Sequence, residues 1–144
     1  KKKLKFLQEK GEITKSWIMG IYAIMGLTYA ELNEKQASKT AFEQGAQYQK
    51  ITDNSTINRE VAKFYVDQGE ALLSLGEPSN AMVFFQKALN AVLPSFKEKN
   101  ESRNPNEALF YPENTIIEAL YGRIKSKGEL VAPRHRLICD TEKY

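Results

Sequence analysis

The same residue pattern occurs twice in this chain at a fixed distance. Tyr22-x-x-Met25-Gly26-x-x-Tyr29 followed by Ser38-x-x-x-Phe42 is answered by Tyr65-x-x-Gln68-Gly69-x-x-Leu72 followed by Ala81-x-x-x-Phe85. In both copies twelve residues lead from the glycine to the small residue and four lead on to the phenylalanine, and the copies lie 43 residues apart. A period of this size points to a stack of like units, each burying its apolar face only against its neighbours. The better copy, Val61 to Pro94, reads as a helix, a tight Gly-Glu-Pro turn and a second helix. Gly76 suits the left-handed position after the first helix, and Pro78 suits the first position of the second, where its missing N–H costs nothing.

Outward from that unit the helical pattern continues. A long helix is predicted from Thr14 or Ser16 to about Asn33, with Trp17, Ile18, Ile21, Tyr22, Ile24, Met25, Tyr29 and Leu32 around most of its girth. Such a helix is expected to be buried on two sides. Gly20 and Gly26 within it each cost about 1 kcal/mol against alanine, which points to close approach by a neighbouring helix. Lys1 to Lys10 reads as the end of an earlier helix closed by Gly11. Further helices are predicted over 34–50, with Ala37, Ala41, Phe42, Gly45 and Tyr48 at helical spacing, and over 57–75 after a break at Thr52–Thr56 that supplies N-caps. The helix after Pro78 runs to about Val92, and Pro94–Pro112 is a polar connection with three prolines. A last helix covers 113 to about 127, with Ile116, Ile117, Leu120, Tyr121 and Ile124 on one side, and Gly128 and Pro133 end it. The expected organisation is one helical-repeat domain over residues 1–130 with an irregular tail over 131–144. Whole repeats cover about 14–50 and 57–93, and a partial third covers 113–128.

Composition narrows the function classes. Six lysines within Lys1–Lys15 leave that segment at +4, while the remaining chain is at −1. A short basic end on a near-neutral body lacks the stripe of arginines and interleaved aromatics that nucleic-acid binding needs, so no nucleic-acid partner is expected. No apolar run reaches the ~20 residues of a membrane helix, so no membrane partner is expected either. Cys139 is the single cysteine, which excludes an internal disulfide framework, and a cytoplasmic setting is the expectation.

The twice-occurring pattern, with Pro94 closing the second copy, resembles the tetratricopeptide repeat signature. Gln68 stands where that family usually has Leu, Leu72 where it has Tyr, and Ser38 where it has Ala. The interval of 43 exceeds the usual ~34, and the extra residues fall between Ala46 and Val61, as a lengthened second helix and a loop. A third copy opens at Tyr121-Gly122, but Arg134 and Ile138 occupy its small and aromatic positions, so its second helix is degenerate. The resemblance implies an all-α, right-handed helical-repeat solenoid of five to six antiparallel helices. A narrower likeness, in LNAVLPSF and LFYPENTIIEALYGRIKSKGEL, is to the repeat arrays that precede CHAT domains, the caspase-like modules of bacterial proteins. It implies that this piece is the regulatory or recruiting part of a larger protein.

A catalytic reading has one candidate pair, His135 and Cys139, four residues apart. Caspase-like chemistry places its His and Cys on separate strands far apart in sequence, and a metal site needs more ligands than one His and one Cys. No phosphate-binding glycine loop is present, and no cofactor or metal is expected. The chain is therefore read as a non-enzyme, with a thiol hydrolase using Cys139 and His135, or a purely architectural segment, as the alternatives. By the resemblance, the first helix of each pair lines a concave groove, contributed by Ala23, Leu27, Ala30 and Glu31 and by Lys63, Val66, Glu70 and Leu73. Co-chaperone members of the family clamp a terminal carboxylate with Lys, Asn and Arg there; this groove is more apolar and suits a peptide, an amphipathic helix or a neighbouring domain. The partner's identity and the oligomeric state are not legible in the sequence.

Overall fold

The computed structural model of the chain describes residues 2–49, 58–100, 103–106 and 114–141. Among the described residues there are five helices and no strand: α1 (Lys2–Glu31), α2 (Lys35–Ala46), α3 (Arg59–Ser74), α4 (Pro78–Val92) and α5 (Asn114–Thr141). α1 packs on α2 and α3, α3 on α4 and α5, and α4 on α5. The odd-numbered helices therefore form one layer and the even-numbered ones the other. This is an all-α helical-repeat solenoid, as the sequence predicts.

Both hairpins are closed by the same device. Asn33 (φ 59°) and Gly76 (φ 73°) take the left-handed conformation at the end of α1 and α3. After each, two backbone N–H groups turn back: Asn33 N–H to Ala30 O and Glu34 N–H to Tyr29 O, then Gly76 N–H to Leu73 O and Glu77 N–H to Leu72 O, all at 2.8–3.0 Å. This is the Schellman arrangement, which satisfies carbonyls the helix leaves open. An ion pair between Lys35 and Glu77 ties the two turns together. That hydrogen bond, with a second from Asn80, holds the Glu77 carboxyl below the ordinary carboxylate range.

Aromatic rings seated on glycines hold the layers together. The Phe42 ring packs on Gly26, and the Phe85 ring on Gly69, so the conserved offset in sequence is an offset in space. Phe85 is also seated on Gly122 of α5, and Phe64 on Gly45 of α2, so the same contact joins successive pairs. Around Phe85 lies a core of Ala62, Val66, Ala81, Ala88, Leu89, Val92, Leu93, Ile116 and Ala119; around Phe42 and Phe64 lies a second, of Met19, Ala23, Ala30 and Ala71. Ser38, in the place that Ala81 takes in the second copy, is fully covered and donates to Gly26 O at 2.7 Å. A small side chain suits the helix crossing, and its hydroxyl finds an acceptor there.

Several expectations are corrected. Gly11 does not end a helix: α1 is continuous from Lys2, because no turn residues follow Gly11 and a lone helical glycine costs only about 1 kcal/mol. The tail predicted as irregular is helical to Thr141, through Gly128 and Pro133. An interior proline removes one hydrogen bond and costs about 3 kcal/mol, but it does not oblige a helix to stop where no turn cluster follows. The second helix of the first pair is not lengthened; α2 ends at Ala46, and the extra residues of the first repeat come after it. α3 is capped by Asn58, whose side chain accepts from Val61 N–H at 3.2 Å and whose own N–H reaches Ala91 O. The caps predicted at Thr52–Thr56, and Glu113, lie outside the described residues. Trp17, Ile21 and Ile24 are exposed, so α1 is buried on one side only.

The connection after Pro94 is tied down where described. Gln86 Nε2 and Asn90 Nδ2 both donate to Glu98 O (2.8 and 3.1 Å), and Arg123 Nη2 donates to Arg103 O at 3.0 Å.

Glycine substitutions separate packing from propensity. Gly122→Ala places a Cβ within the space of the fully buried Phe85 ring and should destabilise by about 1–3 kcal/mol. Gly128→Ala meets open space and should stabilise by roughly 0.5–1 kcal/mol. Urea denaturation of the two variants checks the opposite signs.

Candidate functional site

The inner layer opens into a cleft of about 320 Å³ between α1, α3 and the start of α5. Ser16, Met19, Gly20 and Ala23 form its α1 wall; Arg59, Glu60, Lys63, Phe64 and Asp67 form its α3 wall; Thr115 closes one end. It exists because α1 presents small residues one turn apart on this side. A Cβ built on Gly20 meets nothing within 4 Å, so this glycine is not a packing residue as the sequence suggests but a gap in the wall.

Charge is concentrated at the rim. Lys63 Nζ lies 2.9 Å from Asp67 Oδ1 and 3.5 Å from Glu118 Oε2, joining α3 to α5. Asp67 is only 9% exposed. Burial pushes its carboxyl above the ordinary range; the hydrogen bond and charge of Lys63 oppose this, and the neighbouring Glu118 charge adds to it. Burial works against the Lys63 ammonium, but its hydrogen bond to Asp67 and the charges of Asp67, Glu118 and Glu70 outweigh that and raise its pKa. The arrangement is Lys63 held among several carboxylates, with Arg59 on the same wall, above Met19, Ala23 and Phe64.

Of the eight residues expected to line a groove, Ala23 and Lys63 line this cleft. Glu31 and Glu70 are exposed, and Leu27 is half-buried against the Phe42–Phe64 core. Val66 is corrected: it packs in the core around Phe85, on the side of α3 that meets α4, with no accessible surface, while Leu73 is half-buried against the same core. Ala30 is likewise buried in the core of the first pair. Reasoning from the sequence missed Gly20, Arg59 and Asp67. Lys63 and Asp67 were findable as an opposite-charge i,i+4 pair on a helix. Glu118, 51 residues beyond Asp67, carries no such local signal.

The described residues hold no group of three or more His, Cys, Asp or Glu side chains placed to bind a metal ion. None of their helices is long and apolar enough to cross a membrane. The side chains of His135 and Cys139 lie outside what the structure describes.

Two layers of hairpins, repeated at a fixed offset, define the class of this protein as a helical-repeat array. The family model of the tetratricopeptide repeat matches residues 20–51 and 62–91, the two copies found in the sequence. Repeats of that kind generally mediate protein–protein interaction. No curated protein and no solved structure matches the chain.

The buried Asp67 gives a pH signature. Its folded-state pKa is raised, so its charged form opposes folding, and the cost grows as pH rises from the unfolded carboxylate value through the raised folded one. Asp67→Asn should therefore be more stable than the parent at neutral pH, with the difference disappearing in acid below both values. Thermal melts at both ends of that window check the sign.

Proposed function

We propose that this chain is a protein-interaction module that takes a peptide, a helix or a neighbouring domain in the inner cleft between α1 and α3. The observation that carries this is the gap at Gly20: a recess bottomed by the core side chains Met19, Ala23 and Phe64, beside the charged rim of Lys63, Asp67 and Glu118. A partner side chain entering there buries apolar surface at about 25 cal/mol per Å², and its flanking polar groups meet the rim. The cost of keeping Asp67 charged and nearly buried supports the same reading, since polar groups that oppose folding are commonly retained for recognition. The likeness of Leu89–Phe96 and Leu109–Leu130 to arrays preceding CHAT domains supports a role as the recruiting part of a larger protein, with no chemistry in this piece.

Gly20→Phe isolates the cleft, because the added ring fills space that nothing occupies and improves local helix propensity. Its circular dichroism and melting temperature should match or exceed the parent's. Partner proteins retained by the immobilised parent should be lost from this variant. Retention of an identical set by both proteins would place the binding surface elsewhere.

A further inference from the structure

Two residues of α5 shape the inner cleft: Thr115 closes its end, and Glu118 shares Lys63 with Asp67 at its rim. The form of the cleft therefore depends on what holds α5. That helix brings little apolar surface to the contact. Ile116, Ala119 and the half-buried Leu120 are its part of the core around Phe85, and beyond them its covered side continues as Gly122, Arg123 and Ser126. Elements with few buried apolar contacts open more readily than the core they rest on.

Much of the remaining hold on α5 is polar and is relayed through the connection that follows α4. On α4, Gln86 Nε2 and Asn90 Nδ2 converge on Glu98 O at 2.8 and 3.1 Å. On α5, Arg123 Nη2 donates to Arg103 O at 3.0 Å. The Glu98 carboxylate joins the two anchors: its Oε2 lies 3.3 Å from Arg103 Nη1, and its Oε1 accepts from the N–H groups of Lys99 and Asn100. A polar path thus runs from α4 through Glu98 and Arg103 to α5. Gln86 and Arg123 are each 3% exposed, and Gln86 Oε1 is buried with no hydrogen-bond partner. An unmet buried acceptor is costly, and an apolar seam between α4 and α5 would avoid it.

The earlier hairpins show the same positions without this duty. Gln86 and Asn90 correspond, at the 43-residue period, to Glu43 and Gln47, and Arg123 follows Gly122 as Glu70 follows Gly69. Glu43, Gln47 and Glu70 are all exposed. At the joint between α4 and α5 the three positions instead hold donors that grip main-chain carbonyls.

We propose that the contacts of Glu98 and Arg103 act as a clasp on α5. Closed, the clasp holds Thr115 and Glu118 at the inner cleft; open, it lets α5 tilt off α4 and widens the end of the cleft. As a control on partner entry this rests on the cleft's being the binding surface; as a mechanical link it does not. Because both anchors grip main-chain carbonyls, the side-chain pair between them is the part a substitution can break.

Glu98→Ala breaks that pair without altering either helix, and Lys97→Ala, at an exposed neighbour, is the control. Native-state hydrogen exchange over 114–126 should quicken at least ~10-fold in Glu98→Ala, with α1 to α4, and the whole of Lys97→Ala, as in the parent. The Asp67 carboxyl, followed by NMR titration, should at the same time move down toward the ordinary range, because the Glu118 charge that helps raise it moves away with α5. Unchanged exchange over α5, or exchange quickened equally in all five helices, overturns the clasp. Faster α5 exchange with the Asp67 titration unmoved overturns its link to the cleft. Neither readout needs a partner, so Gly20→Phe judges the cleft as a binding surface and these two judge the clasp alone.

Discussion

The structure depends on an aromatic ring pressed against bare backbone. Phe85 sits between Gly69 and Gly122, so a single side chain fixes the spacing of α3, α4 and α5 at once. Phe42 on Gly26 does this within the first hairpin, and Phe64 on Gly45 carries it across to the next. A ring seated on glycine brings helix axes closer than two side chains would allow, and it fills the gap that glycine leaves. The chain accepts several interior helical glycines, each unfavourable by itself, because these contacts return more than propensity removes.

How much was readable in advance follows from where the information is stored. Helix ends governed by turn chemistry were legible: Asn33-Glu34, Gly76 and Pro78 fall where the sequence places them, since a left-handed residue followed by a start signal is a local property. Gly11, Gly128 and Pro133 misled because a breaker residue is only a local cost, and the continuing helix outweighs it. Gly20 and Gly26 look alike in sequence, but only Gly26 has an aromatic seated on it. The distinction lies in which face of α1 meets α2, and that is a tertiary fact. Of the residues expected in a groove, Val66 and Ala30 are instead buried in the two cores, and Leu73 is half-buried against the core around Phe85. On a helix, a rotation of about 100° separates a residue from its neighbour, so a placement error of one position exchanges a binding face for a core.

The cleft combines opposed electrostatic demands. Asp67 is nearly buried without being fully neutralised, and Lys63 must serve both it and Glu118. A protein selected for stability alone would replace such an arrangement with apolar contacts. Its place at an opening between α1 and α3, above the apolar side chains of Met19, Ala23 and Phe64, sets it apart from the solvated ion pairs on the outer helices.

The two identical Schellman turns have a consequence for how this architecture varies. Within a hairpin, the ring-on-glycine contact, the left-handed residue and the following helix start are locked to one another by single-residue spacings, and the lengths there agree between the copies. Between hairpins the joints differ freely: one runs from Ala46 to Asn58, the other from Val92 to Asn114. The hairpin is therefore the inherited unit and the joint is the adjustable one. Because the joints alone differ in length, they can change the tilt of one hairpin on the next, and with it the curvature of the array, while every core contact within a hairpin stays fixed.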